Sequence, residues 1–255
     1  MMSIFYYDKT FDGLLSVVFD AYKIKYFPQA LLGEGDVEPM FMERGHTTVT
    51  DPNKSDRVWA ALCKKLSKQA LNHIHHVWQS ERPEADYLIF RYIRKVIDSP
   101  HSIETDFTDE DVMSMLQLAK KVSKDTMHLI EFVRFQKTKE NIFFSPVAPD
   151  YNALPLALHH FIDRFADQQW ALYDIRRGYG FYYNLQRVEE ITLPDENTLI
   201  NGNINPMLLA EDEQKFQKLW RNYFKAITIV ERINKRQQRQ HMPARFWHLL
   251  PEMQN

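Results

Sequence analysis

Cysteine is almost missing from this chain of 255 residues, since Cys63 is the only one. A single cysteine forms no intramolecular disulfide and cannot supply the ligand cluster of a structural zinc or iron–sulfur centre. Glycine is scarce too, with 7 residues, and Gly33 and Gly35 lack both the third glycine and the Lys-Ser/Thr ending of nucleotide-binding loops. We therefore expect no bound metal and no cofactor held by a familiar motif.

Long apolar runs are also missing. The longest, such as Leu14 to Phe19, fall far short of the roughly 18 residues that span a bilayer, and residues 1–10 lack a basic stretch followed by an apolar one. These features favour a soluble, cytoplasmic protein without a membrane partner. The length allows one large domain or two small ones, and we predict a single α+β domain over 1–255.

The first half of the chain, about 1–127, is predicted to be mainly helical. A short strand is expected at Ile4–Tyr7, and the segment 31–52 has the glycines, prolines and mixed charges of an irregular region. Apolar periodicity and capping residues predict one helix that begins near residue 10, two helices over about 56–81 and 83–98, and a fourth that begins near residue 108.

Short aromatic and β-branched runs follow over about 128–195. Phe132–Phe135 and Ile142–Phe144 are predicted to form one hairpin, and Trp170–Ile175 and Gly180–Leu185 a second, with a helix over 152–166 between them. This β-β-α-β-β unit predicts an antiparallel sheet with helices on one side. The fold class is therefore a helix-rich α+β protein.

The stretch from Lys215 to Trp247 carries nine lysines and arginines against the single acid Glu231, although the whole chain has a net charge of -2. A long helix is predicted over about 211–239. Its outer face would carry four cations within about 40° of one another, and its opposite face would be apolar and buried. The cationic face is Lys218, Lys225, Arg232 and Arg236, and the apolar face is Phe216, Trp220, Tyr223, Ile227 and Val230. Such a stripe is typical of polyanion binding. The alternative is a solvated surface whose charge is balanced within the fold by the acidic residues of 104–111.

The turn between Asp174 and Gly180 is a second candidate. It holds Arg176, Arg177 and Tyr179, which suit a phosphate and a stacked base, although Asp174 would also pair with Arg176 across the turn. Arg134, between aromatic residues, projects either to a ligand or to solvent.

Histidines give two further candidates. His160 and Arg164 share a face of the predicted helix, and together with Asp174 they are a possible pocket, or else ordinary structural polar groups. His73 and His76 have a spacing that can bring two imidazoles to one metal, but no third ligand accompanies them, and a plain helix surface is favoured.

Several motifs spread over the chain resemble an uncharacterised bacterial family associated with DNA metabolism and DNA repair. They are Tyr7–Leu15 with Phe19–Tyr22, Phe132–Phe135, Pro149–Leu156, Arg164–Trp170, Tyr173–Asp174 with Arg177–Gly180, and Met242–Trp247. The resemblance implies a role in repair and a partner, because relatives are linked to a radical S-adenosylmethionine protein or fused to a uracil-DNA glycosylase domain. No such glycosylase domain is expected here, so base excision is not carried over. Phe246 stands where the resemblance implies a tyrosine.

Three functional hypotheses follow. The leading one is a DNA-binding factor in DNA metabolism or repair, whose binding residues are Lys218, Lys225, Arg232, Arg236, Arg239, Arg245, Arg134, Arg176, Arg177 and Tyr179. The second is an adaptor that docks a repair enzyme through Phe246 to Leu250. The third is an enzyme on nucleic acid or nucleotides, in which Asp174, Arg176, His160 and Arg164 share a pocket.

Overall fold

A computed structural model describes residues 2–33, 35–38, 42–193 and 196–253. The chain divides into two compact units, Met1–Ser123 and Lys124–Asn255, called unit 1 and unit 2. Helices and small sheets occur in both, which confirms the α+β class. The single domain stays a prediction. Within the described ranges, no helix combines the length and the apolar character needed to cross a membrane.

Unit 1 contains a parallel sheet of three strands, β1 (Met2–Tyr6), β2 (Ala30–Leu32) and β3 (Met42–Thr47), in the order β2-β1-β3. The first strand was predicted, whereas β2 and β3 lie in the segment that was expected to be irregular. They were missed because β2 is only three residues long and the sequence of β3 shows no apolar alternation.

The helices of unit 1 are α1 (Phe11–Ile24), α2 (Pro52–Lys65), α3 (Lys68–Trp78), α4 (Ala85–Asp98) and the first part of α5 (Glu110–Phe132). The helix predicted over 56–81 is therefore two helices. Leu66 is extended, and the Ser67 side chain accepts a hydrogen bond from the backbone of Ala70, which starts a new helix. The apolar faces form one core, which includes Leu14, Leu62, Ile74, Ile89, Ile93 and Met115.

Unit 2 contains a sheet of five strands in the order β4-β5-β6-β7-β8. They are β4 (Gln136–Lys137), β5 (Phe143–Val147), β6 (Trp170–Asp174), β7 (Tyr179–Tyr183) and β8 (Val188–Ile191), with α6 (Leu154–Arg164) between β5 and β6. The sheet is mixed rather than antiparallel, because β5 and β6 are parallel. A helical crossover between neighbouring strands returns the chain in the same direction.

The second predicted hairpin occurs in unit 2, whereas in the first one the predicted strand Phe132–Phe135 is wrong and a different segment pairs with β5. Strands β4 and β5 pair antiparallel, as do β6 and β7. Phe132 belongs to the end of α5, and the strand begins only at Gln136. A small antiparallel pair, β9 (Leu199–Ile200) and β10 (Asn203–Ile204), follows the main sheet.

The prediction of one long helix over 211–239 is wrong, because α7 (Glu213–Ile227) and α8 (Lys235–His241) are separate helices. A 3-10 turn, Val230–Arg232, lies between them. The β-branched run that begins at Thr228 has low helix propensity, and Asn234 accepts hydrogen bonds from two backbone N–H groups to start α8. Further 3-10 turns, Ala244–Leu249 and Pro251–Met253, follow.

Candidate functional site

A cluster of ionic side chains lies where β5 and β6 end. Because these strands are parallel, their carboxyl ends lie at the same edge of the sheet. Asp174, the last residue of β6, is completely buried. Its Oδ1 accepts from the backbone N–H of Arg176 at 2.9 Å, and its Oδ2 pairs with Nη1 of Arg177 at 2.8 Å. The aspartate therefore fixes the turn that follows the strand.

The same cluster extends to the loop after β5. Nη1 of Arg176 donates to Oδ1 of Asp150 at 2.8 Å, and Arg245 pairs with both Asp150 and Asp125. The second carboxylate oxygen of Asp125 accepts from the backbone N–H of Tyr151 at 3.0 Å. The cluster, called the Arg–Asp cluster below, is Asp125, Asp150, Asp174, Arg176, Arg177 and Arg245.

Formal charges balance in the Arg–Asp cluster, since three guanidinium groups face three carboxylates. Tyr179 adds a neutral contact, because its hydroxyl donates to the side-chain oxygen of Asn152. The pairs Asp174–Arg177 and Asp125–Arg245 are largely buried, whereas the side chains of Arg176 and Asp150 are 48% and 40% exposed. The cluster therefore connects the loop at 149–152 to the turn at 175–178, and its first role is to stabilise these two segments.

His128 borders the cluster. Its ring packs near Phe132 and Phe246, and its Nδ1 is buried without a hydrogen-bond partner in the described part of the chain. Burial lowers the pKa of His128, and the positive charge of Arg245 lowers it further. The imidazole is therefore neutral at neutral pH.

Three of the motifs that carry the family resemblance meet in this cluster. They supply Asp150 from Pro149–Leu156, Asp174 and Arg177 from the turn region, and Arg245 from Met242–Trp247. The sequence predicted the arginines and Asp174 as candidates but missed Asp125 and Asp150. Their pairing with Arg245 spans 120 and 95 residues, and no local pattern indicates such a contact.

The cations of the C-terminal segment lie in a different environment. Lys218 and Lys225 are on α7, Arg232 is in the 3-10 turn, and Arg236 and Arg239 are on α8. All five are exposed, and among the described residues none of them forms an ion pair. Arg239 lies 5.9 Å from the ring centre of Trp247. These five residues are called the exposed cations below.

The apolar face of α7 is not buried, contrary to the prediction. Phe216 is 56% exposed, Tyr223 55% and Ile227 55%, and Val230 beyond the helix is 71% exposed. An amphipathic pattern predicts burial only where another element packs on the helix. On α7 the side chain of Trp220 is anchored, because its Nε1 donates to Oε2 of Glu252 at 2.8 Å.

Arg134 and the segment Phe246 to Leu250 are both engaged inside unit 2. The Arg134 guanidinium pairs with Glu252 at 2.7 Å and donates to the backbone oxygens of Glu131 and Val133. Phe246, Leu249 and Leu250 are buried. The segment expected to dock a partner therefore belongs to the packing of unit 2.

The histidine-containing pocket is not assembled by direct contact. His160 and Arg164 are exposed on α6, where the imidazole lies edge-on to Phe161 and the guanidinium lies 5.5 Å from the ring centre of Phe165. Within the described ranges, no hydrogen bond or ion pair joins either residue to Asp174. Nor does any group of three His, Cys, Asp or Glu residues there have the placement to hold a metal ion.

Unit 1 has a polar cluster of its own at the carboxyl ends of its parallel strands, which the sequence analysis missed. The Tyr7 hydroxyl donates to Oδ2 of Asp86 at 2.7 Å, and Nζ of Lys9 lies 2.8 Å from Asp86 and 3.1 Å from Asp36. Burial raises the pKa of Tyr7 well above its usual range. Lys9 lies between a predicted strand and a predicted helix, and this position in the sequence could have indicated a polar cluster at the end of the strand.

Comparison with known proteins gives one family and little else. No curated protein matches the chain. A solved structure that matches, a pGpG-specific phosphodiesterase, PggH, from Vibrio cholerae, is 10% identical with a TM-score of 0.33, over 89% of this chain and 99% of that one. A likeness this weak carries no argument about fold or function. The sequence model of a domain of unknown function, DUF4130, matches residues 83–252, about two thirds of the chain. The protein belongs to the DUF4130 family.

Proposed function

We propose that the protein binds nucleic acid through the exposed cations of α7, α8 and the turn between them, as a factor in DNA metabolism or repair. The observation that carries the proposal is that Lys218, Lys225, Arg232 and Arg236 are exposed and have no carboxylate partner within the described ranges. Cations that are not neutralised by the protein remain able to neutralise phosphates.

The other arginines are left out of this proposed surface. Arg134, Arg176 and Arg245 each pair with a carboxylate of unit 2. Binding a phosphate would cost each of them an existing ion pair, so they contribute little to affinity. The resemblance to a family associated with DNA repair supports DNA as the polyanion.

The test measures the affinity of the full chain for fluorescent single-stranded and duplex DNA by anisotropy, between about 50 and 200 mM salt. We expect affinity that falls steeply with salt. Each phosphate contact adds roughly 0.9 to the slope of log affinity against log salt, so Lys218→Glu with Lys225→Glu should reduce that slope by about 2 and weaken binding at least about tenfold at low salt.

A matched control is available in unit 1. Lys120→Glu with Lys121→Glu reverses two exposed lysines on α5 and makes the same change in net charge. The proposal predicts a much smaller effect for this variant. Affinity that is absent at low salt, that is indifferent to salt, or that falls equally in both variants would contradict it.

The exposed apolar face of α7 favours a second candidate, a protein-interaction adaptor. Phe216 and Tyr223 are more than half exposed, and an uncovered row of large apolar side chains is typical of a protein-binding surface. Phe216→Ser with Tyr223→Ser should abolish binding to a protein partner and leave salt-dependent DNA affinity intact. The reversal of Lys218 and Lys225 should have the opposite pattern.

A further inference from the structure

Unit 1 contains a cavity of about 190 Å³ whose lining combines apolar walls with a few polar groups. The lining includes Gln69 and His73 from α3, Tyr92 from α4, Glu104 and Phe107 from the segment before α5, and Met115 from α5. Small-molecule sites have this composition, with few polar groups that fix the orientation of the ligand. The space suits one ring system without phosphates.

Tyr92 gives the cavity an unused hydrogen-bond donor. The residue is only 4% exposed, yet within the described ranges its hydroxyl has no hydrogen-bond partner. Its oxygen is not one of the fully buried side-chain atoms that lack a partner, so it reaches the accessible space of the cavity. Burial and the nearby Glu104 carboxylate raise the pKa of Tyr92 to about 12, so the phenol keeps its proton and can donate to a ligand.

Glu104 places an acceptor at the same cavity. Its two carboxylate oxygens accept from the backbone N–H and the hydroxyl of Ser67, at 2.8 and 2.6 Å. These bonds fix the carboxylate, and each oxygen has a second lone pair available. Among the residues that the structure describes, no lysine or arginine lines the cavity.

The other polar groups of the lining carry no charge; they are the side chains of Gln69 and Thr105 and the imidazole of His73. Burial lowers the pKa of His73, although the charge of Glu104 acts in the opposite direction. The cavity therefore holds one negative charge and no positive one. Phosphates and carboxylates would be repelled here, and a neutral or cationic molecule with N–H donors is favoured.

We propose that this cavity binds a neutral heteroaromatic ring with an amidine edge, such as adenine or cytosine. In such an edge an amino group lies beside an acceptor nitrogen, so that Glu104 accepts from the amino group while Tyr92 donates to the ring nitrogen. The apolar walls contact the ring faces, and Phe107, 61% exposed, borders the mouth. The inference does not rest on the proposed DNA binding, whose residues lie in unit 2.

The test uses the full chain and four free bases, with binding measured by calorimetry and by ligand-observed NMR. Hypoxanthine and uracil are the matched probes for adenine and cytosine, because a carbonyl replaces the amino group. We expect adenine or cytosine to bind, and its carbonyl counterpart to bind at least about tenfold more weakly, since one unmade hydrogen bond to a charged group has roughly that effect.

Two variants locate the site. Tyr92→Phe removes only the hydroxyl and should weaken binding about tenfold. Tyr87→Phe is the control on the same helix, because that hydroxyl donates elsewhere, to the backbone oxygen of Pro28 at 3.3 Å, and it should leave affinity unchanged. Leu116→Phe, which fills the cavity from its wall, should abolish binding without lowering the melting temperature.

Failure to bind any of the four bases would overturn the proposal. So would equal affinity for amino and carbonyl bases, or equal affinity in wild type and Tyr92→Phe. None of these results bears on DNA affinity, and loss of DNA binding in the lysine variants would not bear on the cavity.

Discussion

Two sets of cations in unit 2 have similar side chains and opposite environments. In the Arg–Asp cluster, Arg177 and Arg245 face buried carboxylates, and Asp174 is completely inaccessible to solvent. Among the exposed cations, Lys218 and Lys225 point to solvent, and no carboxylate in the described ranges pairs with them. The first set stabilises loops, whereas the second remains available for a ligand.

The difference comes from where the carboxylates are placed, not from the cations themselves. Asp174 precedes Arg177 by three residues and pairs with it across the turn, whereas Asp125 is distant from Arg245 in sequence and pairs with it because the fold brings the two together. The exposed cations occupy a segment with the single acid Glu231. An arginine therefore indicates polyanion binding only after its possible partners inside the protein have been identified.

The largest effect is expected when the cluster is broken at Asp174. Asp174→Ala leaves the Arg177 guanidinium, which is 17% exposed, without its buried partner. Removing one member of a buried pair costs about 3–5 kcal/mol. Chemical denaturation should show a fall of that size in the free energy of unfolding.

Asp163→Ala is the control for that prediction. Asp163 is 65% exposed and pairs with His159 on the surface of α6, so its removal should change stability by less than about 0.5 kcal/mol. Equal effects of the two substitutions would mean that the Arg–Asp cluster does not hold unit 2 together.

A smaller effect is expected at the start of α8. The Asn234 side chain accepts from the backbone N–H groups of Arg236 and Gln237, each at 3.1 Å. Asn234→Ala should destabilise this helix by about 1 kcal/mol. Hydrogen exchange at residues 235–241 should accelerate while the rates at β5 and β6 stay unchanged. Faster exchange throughout unit 2 would contradict the separation of the two regions.

The smallest effect is a difference in pH dependence. Because the pKa of His128 in the folded protein lies below its ordinary 6.5, the unfolded chain binds the proton more readily. Stability is therefore full above pH 6.5 and falls as the pH drops from there towards the folded-state pKa. His128→Gln should reduce this fall, measured by denaturation across pH, whereas His241→Gln on exposed α8 should not. An unchanged pH profile in His128→Gln would contradict burial beside Arg245.

Much of the fold could be predicted from local patterns. Thr10 caps α1 as expected, α4 and α6 follow their apolar periodicity, and the second predicted hairpin follows α6. The short polar strands β2 and β3 could not be predicted, since tertiary pairing rather than side-chain alternation forms them. The parallel pairing of β5 with β6 likewise depends on how α6 crosses over.

Less of the candidate site could be predicted. The turn after Asp174 is local, and the sequence indicated Arg176 and Arg177 as candidates, but not that Asp150 would pair with Arg176 or that Asp125 would pair with Arg245. One continuous helix was predicted in place of α7 and α8, because the regular spacing of the cations was taken as helical and the β-branched run at Thr228 was not given enough weight. Exposure of Phe216 and Tyr223 could not be predicted, since burial depends on a packing partner that periodicity does not specify.

The most direct test of the exposed cations is lysine acetylation of the full chain with and without DNA, read residue by residue by mass spectrometry. Our account predicts that DNA slows the acetylation of Lys218 and Lys225 and that this protection disappears at high salt. Lys120 and Lys121 should react at the same rate with and without DNA. Equal reactivity of Lys218 and Lys225 in the two conditions, with DNA in excess at low salt, would contradict it.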